Sequence, residues 1–211
     1  MKIVVSLTSP DEIQKAVALG ADFIELRLDL MGEDLSSAMA GCSGDCAAPI
    51  IATLRSREEG GKFTGDAEQW FSTIQPFLDL VDYVDVERKF RKFAPMICYQ
   101  HTTIIASAHI RYMPSPDDLR AIERDLRSYG DIPKIAVTPA SAHDLLDFLS
   151  FTLDAEKPII TTVMGGEFRY ARTFLPFFGS ETVYCHIGTP TAEGQYDIRE
   201  LEQLQELLAY R

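Results

Sequence analysis

Eight short runs along the chain alternate apolar and polar residues with a period of two, and longer stretches with helical spacing separate them. The runs predict strands over 2–7, 22–28, 50–54, 83–87, 103–108, 134–137, 158–164 and 182–187. Helical spacing covers 11–19, behind the start signal Ser9-Pro10, and 66–80 and 116–129, each with an acidic first turn. It also covers 140–153 and 198–210, while the segments after strands two, four and seven are weaker. Strands alternating with helices predict an α/β fold with a parallel sheet, in one domain over residues 1–211. Eight units in 211 residues leave about 26 per unit, enough for a small (β/α)8 TIM barrel, with an open doubly wound sheet as the rival.

Side-chain parity separates these two. Residues two apart share a strand face. One face is repeatedly polar: Ser6 and Thr8, Glu25 and Arg27, Thr53 and Arg55, Asp85 and Glu87, Ser107 and His109, Lys134 and Thr138, Thr162 and Met164, Tyr184 and His186. The other is apolar, as in Val5 and Leu7, Ile24 and Leu26, Val84 and Val86, and Ile135 and Val137. An open sheet covered by helices is apolar on both faces, whereas a barrel turns one face inward. The asymmetry therefore predicts the barrel, with polar groups converging inside, where charges need partners or a task.

The chain carries 20 Lys+Arg against 32 Asp+Glu, a net charge of −12. That disfavours nucleic acid and anionic membranes as partners, but not a small anionic substrate met by a local arginine cluster. No apolar run is long enough to span a bilayer, and the strand-like N-terminus is no signal peptide, so a cytoplasmic protein is expected. Of Cys42, Cys46, Cys98 and Cys185 only the first two are close; free thiols are expected, with half a metal site or a labile disulfide as alternatives. The glycine-containing loops at 58–61, 164–166 and 189–195 match no nucleotide fingerprint, so no nucleotide is expected. The loop at 189–195 is either a lid or an ordinary connection. Trp70 and the Phe177-Phe178 pair read as packing residues.

Among the polar residues, Lys134 opens a strand-like run, and burial inside a barrel should lower its pKa and free a nucleophilic amine. A lysine paired with a carboxylate at a strand mouth is the plainer alternative. His109 ends a strand where barrel active sites are built, as a general base or as a histidine satisfied by a backbone carbonyl. His186, on the inward parity, is the rival base; His101 and His143 read as turn and helix-surface residues. Arg27, Arg55 and Arg172 form a candidate anion-binding set, near Glu25 and Glu59.

Taken in order, these motifs resemble the type I 3-dehydroquinate dehydratases over nearly the whole chain. The resemblance rests on Glu25-Leu26-Arg27-Leu28-Asp29, Thr53-Leu54-Arg55 with Glu59-Gly60-Gly61, Asp85-Val86-Glu87, Ser107-Ala108-His109, Lys134-Ile135-Ala136, Met164-Gly165 with Arg172, and Gly194-Gln195. It implies a Schiff base on Lys134, proton transfer by His109, and Glu59 orienting that histidine, with no metal or organic cofactor. It implies that Arg172 and Gln195 hold the carboxylate of 3-dehydroquinate and close the lid, in which Thr191 keeps the family's substrate-binding hydroxyl. Ser6, Glu25, Arg27 and Arg55 would bind the substrate's hydroxyls and ring, and Met164 and Tyr184 would form the pocket wall. A homodimer is also implied. Another Schiff-base barrel lyase or aldolase, and a non-catalytic carboxylate-binding barrel, are the alternatives.

The sequence departs from the family pattern in four places. Glu193 stands where the lid usually has proline, Ile110 where aspartate often follows the histidine, and Ala171 where serine often precedes the arginine. The chain starts at strand one without the family's N-terminal hairpin, so inward side chains are expected to plug the barrel floor.

Overall fold

The computed structural model describes residues 1–32, 35–42, 46–100 and 102–208. Nine strands form one sheet: β1 (Lys2–Leu7), β2 (Phe23–Arg27), β3 (Ile50–Thr53), β4 (Tyr83–Glu87), β5 (Thr103–Ile110), β6 (Ile132–Val137), β7 (Ile160–Val163), β8 (Thr182–His186) and β9 (Tyr196–Asp197). Their order is β7-β6-β5-β4-β3-β2-β1-β8-β9, with every pair parallel. The helices are α1 (Ile13–Ala18), α2 (Ser36–Cys42), α3 (Ala67–Ile74), α4 (Ala94–Cys98), α5 (Pro116–Arg127), α6 (Ala142–Asp154), α7 (Ala171–Phe174) and α8 (Ile198–Leu208). The architecture is the expected (β/α)8 barrel, with the two-residue β9 added beside β8. The weak helical patterns correspond to short helices, and α7 is a single turn. The described residues contain no helix long and apolar enough to cross a membrane.

Local chemistry accounts for the better-formed helices. Ser115 caps α5 by accepting from the Asp118 N–H, Pro116 occupies the first turn where no donor is needed, and Asp117 and Asp118 sit at the positive end of the helix dipole. Asp66 and Gln69 form a reciprocal capping box at α3, and Ser141 caps α6. Trp70 of α3 is fully buried, stacks on Phe90 at 4.5 Å and donates its indole N–H to Leu54 O. Phe177, in contrast, is exposed rather than packed, because the 3-10 turn Leu175–Phe178 turns Leu175 inward instead.

The two strand parities fall into two separate clusters. Val5, Leu7, Ile24, Leu26, Val84, Val86, Ile135 and Val137 pack outward against the helices. Val4, Ile51, Ile105, Ile160 and Tyr184 meet inside, with Phe23, Tyr83 and Ile132 packed against them. Every strand from β1 to β8 supplies one of these eight side chains, and together they plug the floor without a hairpin.

The sheet has a seam. At three bottom corners a carboxylate just before an even-numbered strand accepts a backbone N–H of the preceding strand or its neighbour: Asp22 from Ile3, Asp82 from Ile50 and Asp131 from Ile104. At the fourth corner, between β7 and β8, Ser180 Oγ accepts from Thr161 N–H and donates to Thr161 O, while Glu181 N–H donates to Ile159 O. A hydroxyl and one backbone bond thus take the place of a strand ladder between β7 and β8.

Cys42, Cys46, Cys98 and Cys185 are free thiols. Residues 43–45, between the first two, and His101 lie outside the described residues. His143 is exposed on α6, as expected.

Candidate active site

Parallel register stacks the inward side chains in layers, each drawn from alternate strands. Directly above the floor lie Glu25, Asp85 and Lys134, from β2, β4 and β6, level with Tyr184 of β8, whose ring also belongs to the floor cluster. The next layer holds Ser6, Thr53 and Ser107; register sets Ser6 beside Glu25, Thr53 beside Asp85 and Ser107 beside Lys134. Arg55, His109 and Met164 occupy the strand ends at the mouth. Ala136, whose small side chain leaves space above Lys134, lines the same cavity, whose volume is about 470 Å³.

Lys134 is 3% exposed. Its Nζ lies 3.0 Å from Asp85 Oδ2, 3.6 Å from Glu25 Oε1 and 4.0 Å above the centre of the Tyr184 ring. Burial alone would lower its pKa, as the sequence suggested. Here Tyr184, Asp85 and Glu25 outweigh burial and hold the amine above its ordinary value. The expected neutral amine is therefore corrected: Lys134 rests as an ammonium in a carboxylate cage. Burial also pushes the Tyr184 phenol up, to about 12, so this ring is neutral near pH 7.

The cage is satisfied on its far side as well. Arg55 donates to Asp85 at 2.8 Å, to Glu87 at 3.0 Å and to Ser107 at 3.0 Å. Burial opposes the Asp85 proton's loss, but the Arg55 and Lys134 cations hold Asp85 well below the usual carboxylate range. Glu25 accepts from Ser6 at 2.6 Å and Thr53 at 3.0 Å. Arg27 is held bidentately by Asp29, at 3.0 and 2.9 Å.

At the mouth, His109 and Glu59 form a pair. Glu59 Oε2 lies 2.9 Å from His109 Nδ1 and accepts the His109 backbone N–H at 3.0 Å. Burial, with the Arg55 and Lys134 charges, takes the imidazole well below its ordinary pKa. Burial also raises Glu59, to about 8, against the pull of Arg55 and with help from Glu87 and Asp85. The two groups titrate as a pair. When the proton sits between Glu59 and Nδ1, neutral imidazole carries its hydrogen on Nε2 and has no lone pair to offer there. Loss of that proton leaves Nδ1–H pointing at Glu59 and Nε2 free to act as base. The pair gains basic function as pH rises, so kcat/KM is expected to fall about tenfold per unit below an apparent pKa near 8. In the Glu59→Gln variant this limb should disappear from that range; a wild-type profile flat from pH 6 to 9 would exclude control by the pair.

The loop between β8 and β9 closes over the opening. Gln195 Oε1 accepts from Thr191 N–H, Thr191 Oγ and Ala192 N–H, at 2.8, 3.0 and 3.1 Å. Arg172 Nη2 donates to Glu193 O at 2.8 Å. A Cβ on Gly194 would stand 2.2 Å from Gly165 O, and its φ is +76°, so only glycine lets the loop lie this close. Arg172 is buried without a carboxylate partner among the described residues, and its Nε donates to none of them. Burial, with the nearby Arg169 charge, pushes it down to about 10. It is a cation in want of an anion.

Eleven of the twelve residues singled out from the sequence line one cavity: Lys134, His109, Glu59, Glu25, Arg27, Arg55, Met164, Arg172, Tyr184, Thr191 and Gln195. Ser6 does not; it stands beside Glu25 and donates its hydroxyl to that carboxylate. His186, the rival base, also lies outside the cavity, 3.9 Å from Asp197. Asp85 was not singled out, although it is the tightest partner of Lys134; the available signal was its inward parity. Arg111 was missed as well, and it lines the cavity rim.

The profile of the family described as type I 3-dehydroquinase matches residues 5–210. A 3-dehydroquinate dehydratase of Methanoregula boonei is 46% identical over 209 residues, covering 99% of this chain and 100% of that protein. One of Methanospirillum hungatei is 38% identical, covering 99% of this chain and 82% of that protein. Among solved structures, the 3-dehydroquinate dehydratase of Aquifex aeolicus superposes with a TM-score of 0.85 at 27% identity, covering 100% of both chains.

Proposed function

The chain belongs to the type I 3-dehydroquinase family, and from that membership we propose that Lys134 and His109 carry its reaction. The enzyme is a hydro-lyase that removes water from 3-dehydroquinate in the shikimate pathway. The observation that carries the residue assignment is a single cavity of about 470 Å³ whose walls hold a buried lysine, a histidine–carboxylate pair and an arginine short of an anion.

The chemistry follows from these positions. The substrate carboxylate meets Arg172 beneath the lid, which places the ketone toward the barrel interior. Lys134 passes its proton to a base, for which the neutral His109 is suited, and the free amine attacks the C3 carbonyl carbon. The carbonyl oxygen takes one proton from the amine and one back from His109 and leaves as water, which frees His109 again as a base and gives a protonated imine whose positive charge replaces that of the ammonium between Asp85 and Glu25. His109 then removes a C2 proton, and the electron pair flows into the imine to give an enamine. The enamine pushes out the C1 hydroxyl, which takes the proton from His109 and departs as water. Hydrolysis of the conjugated imine releases 3-dehydroshikimate and restores Lys134. One histidine serving both transfers favours a syn elimination. The carboxylate cage contributes by favouring cationic nitrogen in both the ammonium and the iminium.

The test is borohydride reduction in the presence of 3-dehydroquinate, followed by peptide mass mapping. A substrate or product adduct on Lys134 is expected. An adduct on another lysine, or none with turnover intact, would overturn the assignment; binding without turnover or adduct would favour a carboxylate-binding barrel. Arg172→Ala should raise KM about 10–100-fold, the scale of a lost charge-assisted hydrogen bond, with a smaller fall in kcat. Unchanged steady-state constants would remove Arg172 from the site. We propose a cytoplasmic location, in keeping with a biosynthetic pathway enzyme, and a homodimer, as the family resemblance implies; sedimentation velocity tests the second.

A further inference from the structure

The cations around this cavity are not equally available. Arg27 is neutralised by Asp29, and Arg55 by Asp85 and Glu87. Arg172 has bonding capacity left but is 5% exposed, beneath the lid carbonyl of Glu193. All three are buried within the cavity, where a ligand reaches them only after it has passed the mouth.

Arg111 can. It directly follows β5, two residues beyond His109, and is exposed at the rim of the cavity. Its Nη2 lies 4.0 Å from the position a Cβ on Gly60 would occupy, which sets the guanidinium beside the loop that carries Glu59. Thr138 N–H donates to Tyr112 O at 3.4 Å, tying this turn to the end of β6, the strand of Lys134. Among the described residues Arg111 makes no ion pair or hydrogen bond. A surface arginine on a chain with net charge −12 has many carboxylates to choose from, yet this one is paired with none of the described ones.

We propose that Arg111 is the substrate-recruiting residue of this site, drawing the carboxylate of the incoming anion to the cavity mouth before Arg172 takes it under the lid. The proposal rests on the dehydratase reaction assigned above. A protein with this negative balance repels an anionic ligand at long range, and an unpaired cation at the entrance reverses the local sign. The effect acts over a Debye length, about 10 Å at 0.1 M salt, and fades as salt is added. Arg111 governs capture and leaves the bond-making steps to the groups below it.

The experiment compares Arg111→Gln with the wild-type enzyme at about 10 mM and about 0.5 M ionic strength. At low salt kcat/KM should fall about tenfold; at high salt it should come within about twofold of wild type, with kcat changed little throughout. Arg111→Lys should recover most of the loss. Arg120→Gln, the same charge change on α5 away from the cavity, should behave as wild type. Equal losses at both salt concentrations, or no recovery with lysine, would indicate a shaping role and overturn the proposal. So would parallel salt dependences of Arg111→Gln and wild type. If the wild type fails to dehydrate 3-dehydroquinate, the reaction assignment fails separately, and calorimetric binding of the same compound at the two salt concentrations decides the proposal. Binding that is absent, or equally salt-dependent in both proteins, then overturns it.

Discussion

Replacing Lys134 with alanine is expected to reduce turnover by at least ~10⁴-fold, about 5.5 kcal/mol of transition-state stabilisation at ~1.4 kcal/mol per factor of ten. Without the imine, the C2 carbanion has only a neutral ketone to delocalise into, and no other lysine among the described residues lines the cavity. The variant should remain folded. Asp85 keeps Arg55 at 2.8 Å and its bond from Ser107, and Glu25 keeps Ser6 and Thr53. Circular dichroism checks the fold, stopped-time product assays check the rate, and borohydride should no longer label the protein. Turnover within a hundredfold of wild type would rule out a covalent role for Lys134.

His109→Asn should separate the two halves of the reaction. The amine and its cage remain, so an imine should still be trapped with borohydride, although more slowly. Elimination should fall by about 10³-fold, within the range usual for loss of a positioned acid–base group. Asparagine can retain a hydrogen bond to Glu59, which limits the cost of leaving that carboxylate unpaired. The decisive comparison is between rapid-quench trapping and steady-state rate on the same sample. Equal losses in both would place His109 in imine formation alone. A normal steady-state rate would shift the base to another group, and His186, outside the cavity and beside Asp197, is poorly placed for it.

These expectations rest on a charge pattern that was only partly visible in the chain. Period-two alternation is a local property, because a strand sends successive side chains to opposite faces whatever surrounds it. That is why the sequence alone separates inward Glu25, Asp85, Lys134 and Tyr184 from outward Ile24, Val84 and Ile135. The helix starts at Ser115-Pro116 and Asp66 were legible for the same reason, since a cap acts within four residues. The barrel floor was legible as a requirement, and the structure meets it with one inward side chain from each strand.

The protonation state of Lys134 was not legible, and the expectation had the wrong sign. Burial follows from strand position, but the opposing field comes from Asp85, 49 residues away, and Glu25, farther still. Arg27 and Arg55 were recognisable as cavity arginines, but not as arginines already neutralised within the site. Ser6 shares their parity yet stands one layer back, and Arg111 lies beyond the last strand residue, where alternation no longer says where a side chain goes.

Alternation and spacing were therefore enough to predict the eight-stranded barrel and the inward face that carries the lysine and the histidine, whereas the pairing of Glu59 with that histidine was implied only by the family resemblance. Charge state, the availability of each arginine, and the seam that Ser180 closes were decided only when the strands came together. The physical reason is range. Backbone geometry sets side-chain direction within a few residues, whereas a pKa or an ion pair depends on distances of 3–4 Å between groups that the chain keeps far apart until it folds.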